Sequence, residues 1–177
     1  MRYGILFLAC AFLLAGCAGL QSRDVVPAEL AGEVAGDLSL ARIQAEPDQH
    51  NGTLVVFGGK IVRTMNQQQE TLIEVVQLPL NARQRPKDVD ASQGRFLVRA
   101  SGYLDPYIYG QGREITVVGR IIGTRAMQIG DMDYEYVVLR AENIRLWEPE
   151  QESVRVYHDY SPFFYWHGPG WRHPYWW

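Results

Sequence analysis

Between Thr53 and Trp147 the chain runs through short stretches rich in β-branched and aromatic residues, separated by polar or glycine-containing segments. No segment of helical period intervenes, and that restricts the fold more than any other feature of the chain. Thr53 to Thr64 forms the first stretch, with Gly58-Gly59 at its middle, where paired glycines predict a bulge or sharp bend. Thr71 to Leu78 follows across the polar turn Asn66-Gln67-Gln68-Gln69, and the two are expected to pair as a hairpin. A polar loop, Asn81 to Gly94, leads to Arg95 to Gly102, where Phe96, Val98 and Ala100 alternate with Leu97, Arg99 and Ser101. Glu114 to Ile122 sets Ile115, Val117, Gly119 and Ile121 on one side. Tyr134 to Leu139 and Ile144 to Trp147 complete the series after a turn at Gly130-Asp131.

Five or six strands with glycines at bends in the long first and fourth predict an all-β domain, a small five- to six-stranded antiparallel barrel. The OB-like barrel has this layout. A β-sandwich is the rival architecture. Ahead of the barrel only short helical turns are expected, around Ala28 to Val34 and from an N-cap at Asp37 through Ile43 to a stop at Pro47.

Residues 1 to 16 have the form of an export signal: Arg2, an apolar run from Gly4 to Leu14, then small residues before Cys17. The run falls well short of the roughly 20 residues a helix needs to cross a bilayer. Leu14-Ala15-Gly16-Cys17 resembles the lipobox of bacterial lipoproteins, which implies acylation of Cys17 and partnership with outer-membrane lipid. Ala18 stands where an aspartate commonly retains Gram-negative lipoproteins at the inner membrane, so the resemblance points to the outer one. The expected organisation is a signal peptide (1–16), a lipidated tether (17–48), the barrel (49–149) and an aromatic tail (150–177). Once the leader is removed Cys17 is the sole cysteine, so an intramolecular disulfide is excluded and packing must supply stability. A net charge of −3 with scattered basic residues provides no electrostatic footprint for nucleic acid.

Gly58-Gly59-Lys60-Ile61, Ile73 to Leu80, Gly94-Arg95-Phe96-Leu97, Leu104-Asp105-Pro106, Gly112 to Gly119 and Ile144 to Trp147 occur in one order at characteristic spacings. As a set they resemble the Slp family, starvation-inducible outer-membrane lipoproteins of Gram-negative bacteria. Phe57 departs from the tryptophan expected in many members and exchanges one core aromatic for another. The resemblance implies a lipoprotein at the periplasmic side of the outer membrane, linked to starvation or envelope stress. It implies no reaction, catalytic residue or cofactor.

Chemistry-bearing patterns are sparse. Gly110-Gln111-Gly112 lacks the third glycine of a dinucleotide fingerprint and leads into a strand, and no Gly-x-Ser-x-Gly elbow occurs. Asp131, Asp133 and Glu135 alternate across a hairpin as a solvated face, without a calcium-loop pattern, and no metal site is expected. Glu74 stands between Ile73 and Val75 in the most apolar strand; if it points inward it needs a partner such as Lys60 or Arg95, so it is a structural ion pair, an outward-facing edge residue, or a ligand contact. Lys60 and Arg113, beside glycines, read as structural.

The tail holds four of the five tryptophans and three of the four histidines, broken up by Pro162, Gly168, Pro169, Gly170 and Pro174. Tyr165, Trp166, Trp171, Trp176 and Trp177 are its candidate contacts. They suit the bilayer interface, or stacking on an envelope protein or glycan; packing over the barrel mouth and plain disorder are the alternatives. His158, His167 and His173 match no compact metal motif. A non-enzymatic envelope protein is the expectation. Its alternatives are a glycan- or small-ligand-binding module with the tail as clamp, and an envelope hydrolase.

Overall fold

The computed structural model describes residues 25–150. Five strands, β1 (Leu54–Asn66), β2 (Glu70–Leu78), β3 (Arg95–Ser101), β4 (Glu114–Ile129) and β5 (Met132–Leu146), form a closed barrel in the order β1-β2-β3-β5-β4. Closure comes from the length of β1: Leu54 to Lys60 pair with β4, and from Gly58 onward the same strand pairs with β2. All neighbours are antiparallel except β3 and β5, which run parallel from Phe96↔Val137 to Arg99↔Arg140. A parallel pair requires a crossover, and residues 102–113 supply it by passing over one end of the barrel. This is the OB-like arrangement, and it excludes the sandwich.

Three local expectations change. The stretches from Tyr134 and from Ile144 are one strand, since the polar residues between them, Arg140 to Asn143, carry the ladder with β4 across a bulge at Val118/Gly119. β4 runs on past Ile122 to Ile129 as one side of a long hairpin arm. The β1–β2 bulge lies at Ile61/Arg63 and not at Gly58-Gly59. Those glycines answer a different need: a Cβ on Gly59 would fall 1.8 Å from the Val76 carbonyl oxygen.

Alternation fills the interior with Val55, Phe57, Ile61, Ile73, Val75, Phe96, Val98, Ile115, Val117, Ile121, Val137 and Leu139. Phe57 is a core aromatic as expected, with its ring 5.8 Å from that of Phe96. Both ends are stoppered. At one, α1 (Leu40–Ala45) drives Leu40 and Ile43 to zero exposure, although its residues belong to the expected tether. Its N-cap is Ser39, two residues beyond the expected Asp37: the Ser39 hydroxyl accepts from the Arg42 amide at 3.2 Å. Six residues are too few for a self-supporting helix; burying two such side chains, at about 2 kcal/mol each, makes it persist. At the other end the crossover loop packs Leu104 and Tyr109 on the core. Thr71 accepts from the Leu104 amide at 3.0 Å, and Thr64 donates to the Tyr109 carbonyl at 2.7 Å.

A second apolar cluster lies outside the barrel. Register shifts between Ile121 and Thr124, with Gly123 at φ 111°, and beyond that bulge Met127, Ile129 and Tyr134 pack with Leu72, Leu97, Tyr136 and Val138. The β4–β5 arm thus covers the outer face of β2 and β3.

Gly59→Ala should lower unfolding free energy by about 3 kcal/mol. Gly36→Ala, whose Cβ would meet nothing within 4 Å, should stay within about 0.5 kcal/mol of the parent. Urea titrations of the two variants check the difference.

Candidate functional site

Glu74 is the acid that sequence singles out, and the fold places it on the outer face of β2 beneath the arm. It is 2% exposed. One carboxylate oxygen accepts from Arg95 and from the Tyr136 hydroxyl, both at 2.7 Å, and the other accepts from Arg63 Nε at 2.6 Å. Of the alternatives for Glu74, this is the geometry of a structural ion pair, made on the outward face of the strand and not with the side chain turned inward. Arg95 is a partner as expected. Lys60 is not: its ammonium bonds Asp88. Arg63 takes the second place because the bulge at Ile61/Arg63 sets it directly opposite Glu74.

Burial by itself would raise the Glu74 pKa, but the hydrogen bonds from Tyr136, Arg95 and Arg63 outweigh it and hold the group below its ordinary value. Burial, then the neighbouring carboxylate, push the Tyr136 hydroxyl up to about 12. At neutral pH the phenol is therefore a fixed donor and the carboxylate a fixed acceptor. One carboxylate links β1, β2, β3 and β5.

The face of β2 and β3 is the one OB barrels use for ligands. Here the arm fills it, with Tyr134 and Tyr136 edge to face at 4.7 Å. The Tyr134 hydroxyl accepts from the Arg95 amide at 2.9 Å and from Gln44 at 3.2 Å, which binds the arm to β3 and α1. Asp131, Asp133 and Glu135 are exposed on that arm. Among the described residues no group of three His, Cys, Asp or Glu side chains converges to hold a metal ion.

Open concavity lies on the opposite flank, around Trp147. Its indole lies beneath the guanidiniums of Arg145, at 4.3 Å from the ring centroid, and Arg85, at 5.7 Å. The indole Nε1 donates to Thr116 at 2.9 Å, and the Trp147 carbonyl accepts from Arg113 at 2.9 Å. Arg85 also bonds Glu114 at 2.7 Å and Glu150 at 3.1 Å. One cleft of about 830 Å³ runs between Val25, Val26, Ala31, Arg83 and Trp147, and a second of about 600 Å³ lies between Arg85, Asn143, Arg145 and Glu148. Asn143 donates to the Val25 carbonyl at 2.7 Å. Val25 is thus secured to β5, while the chain just beyond β5 is secured to Arg85 through the Glu148 carbonyl and the Glu150 carboxylate.

Cys17 and the tail aromatics Tyr165, Trp166, Trp171, Trp176 and Trp177 lie outside the described residues. Sequence reasoning did not single out the Arg85–Trp147–Arg145 stack, because Arg85 is far in the chain from the other two. It also passed over Tyr103, Tyr107 and Ile108, although an apolar run inside a loop bounded by Gly102 and Gly110 is a visible signal.

The sequence profile of the Outer membrane lipoprotein Slp family matches residues 14–177. The chain belongs to that family. Among relatives of this Slp-family chain, Outer membrane protein Slp of Escherichia coli (strain K12) is 32% identical over 180 residues, covering 99% of this chain and 92% of the relative. The uncharacterized lipoprotein YeaY of the same organism is 32% identical over 173 residues, covering 97% of this chain and 86% of the relative. An uncharacterized protein of Haemophilus influenzae is 31% identical, covering 93% and 90%. Among solved structures, a small single-stranded DNA-binding protein from Streptomyces coelicolor aligns at a TM-score of 0.36 and 15% identity, covering 54% of this chain and 94% of that one. The fold assignment of the Slp-family chain rests on its own strand pairing. Family membership makes it an outer-membrane lipoprotein.

Glu74→Ala should cost about 3 kcal/mol, the lower end for a broken buried pair because both arginines reach solvent; Tyr136→Phe should cost about 1 kcal/mol. A carboxyl whose folded pKa is depressed contributes stability that is complete above its unfolded pKa and is lost as pH falls through the folded one. Wild type minus Glu74→Gln should therefore be constant from pH 7 to about 5 and shrink below pH 4, read from urea midpoints at each pH.

Proposed function

We propose that this protein is held in the outer membrane by acyl chains on Cys17, with its barrel in the periplasm. It supports the envelope under starvation or stress by binding or structural action, and not by catalysis. The observation that carries this reading is how the barrel is filled. Its interior is packed with side chains, α1 and the crossover loop stopper its ends, and the arm occupies the outer face where barrels of this layout take ligands. The acid most suited to chemistry, Glu74, has both oxygens engaged by protein donors. A partner, whether an envelope protein or a glycan, would meet the outside of a rigid body.

The leader supports the anchoring half of the proposal, since two or more acyl chains hold a protein to a bilayer durably at about 0.8 kcal/mol per buried methylene. In Cys17→Ala the protein should leave the outer-membrane fraction, and labelled palmitate should fail to enter it. Normal fractionation of that variant would overturn the reading.

A further inference from the structure

The crossover loop presents an apolar surface to solvent. Within Tyr103-Leu104-Asp105-Pro106-Tyr107-Ile108-Tyr109 the chain sends Leu104 and Tyr109 to the core and turns Tyr103, Tyr107 and Ile108 outward, at 72%, 93% and 49% exposure. Three of the five large apolar or aromatic side chains that stand exposed among the described residues fall in these seven positions, which makes a patch and not scatter. The turn is braced. The Asp105 carboxylate accepts from the Tyr107 amide at 2.9 Å, and its carbonyl accepts from Ile108 at 3.0 Å and Tyr109 at 2.9 Å.

Position decides what this patch meets. Arg113 donates through one terminal nitrogen to the Ile108 carbonyl and through the other to the Trp147 carbonyl, so loop and Trp147 are held a guanidinium's breadth apart. Trp147 in turn packs with Val25 and Val26, where the described chain begins. Val25 stands eight positions after Cys17, a span of at most roughly 28 Å when fully extended. Cys17 is therefore tethered within that reach of the flank that bears Trp147, to which Arg113 joins the crossover loop, while α1 caps the opposite end of the barrel.

We propose that Tyr103, Tyr107 and Ile108 form the membrane-contacting surface of the domain and enter the headgroup–acyl boundary of the bilayer that carries the anchor. The inference rests on the acylation of Cys17 set out above. Tyrosine suits that boundary because its ring is buried while its hydroxyl stays wet, and isoleucine adds apolar area. Arg85 and Arg113 nearby are engaged by Glu114, Glu150 and main-chain carbonyls. Contact therefore depends on the apolar side chains and not on anionic lipid.

With Cys17 held in a thioether, a single introduced cysteine is the only free thiol of the acylated protein. Tyr107→Cys and Ala41→Cys, the latter exposed on α1 at the opposite end, would each carry an environment-sensitive fluorophore in the full acylated chain. Both would be reconstituted in phosphatidylethanolamine–phosphatidylglycerol vesicles with and without nitroxide-labelled lipid. The label at 107 should shift to the blue and be quenched, unaffected by high salt, while the label at 41 shows neither. A label at 107 as wet as that at 41 overturns the inference, and so does quenching that salt abolishes. The mass of the N-terminal peptide separates the two readings. Acyl chains present with 107 in water sinks the loop alone; acyl chains absent sinks the anchor and the loop together.

Discussion

The barrel depends on one strand serving two neighbours at once. Around Gly58 and Gly59, β1 is hydrogen-bonded to β2 on one side and β4 on the other, and this overlap closes the sheet. A side chain there would strike main chain, since the Val76 carbonyl carbon and oxygen lie where a Cβ on Gly59 would be. A clash with main chain cannot be relieved by a rotamer change, so it would push β1 off β2. Every interior layer is defined by that contact, because the inward set on each strand follows from the register of its neighbour.

Much of this was legible in the chain and some was not. Strand existence was readable because alternation is local: Phe96 and Val98 face in and Arg99 faces out whatever the neighbours are. Closure and the parallel β3–β5 pairing were not, because they join residues far apart in the chain, Leu54 with Arg120 and Phe96 with Val137. Of the outer arm the turn at Gly130-Asp131 and the strand from Tyr134 were legible, but the run of β4 from Gly123 to Ile129 was missed, because it is polar on one face and packs on a satellite cluster on the other and so lacks the apolar density of a barrel strand. Glu74 was readable as a buried acid needing a cation, yet the identity of one cation was not. A regular hairpin continuing from Gly58↔Leu78 would set Val62 opposite Glu74; the bulge replaces it with Arg63. An insertion of one residue in a ladder leaves no mark on composition. Of the candidate contacts, only Glu74 falls within the described residues.

The Glu74 cluster also shows why a buried charge persists in an otherwise apolar outer face. Buried ion pairs seldom add net stability over well-packed hydrophobic residues. Their effect is to make alternatives worse. A one-residue slip of β2 would turn Glu74 into the barrel core against Phe96 and Val98, push Ile73 and Val75 out of it, and take the carboxylate away from every donor it now has. Four strands meet at one carboxylate, so the same group that fixes β1–β2 register also holds the arm down through Tyr136. The outer face of β2 and β3 is closed by an interaction that specifies the fold.

That closure bears on where an anchored barrel can meet its surroundings. With the interior filled and the β2–β3 face covered, the largest open concavity among the described residues is on the flank around Trp147, and Arg113 joins it to the end bearing the crossover loop. Chain entry at Val25 and chain exit at Glu150 lie on the same flank, so the anchor and the tail begin from one side of the body. Under the proposed anchoring through Cys17, the end that bears the crossover loop would be turned to the membrane and the end stoppered by α1 turned away. The direction in which the domain faces would then follow from the hold of Asn143 on Val25 and of Arg113 on the crossover loop.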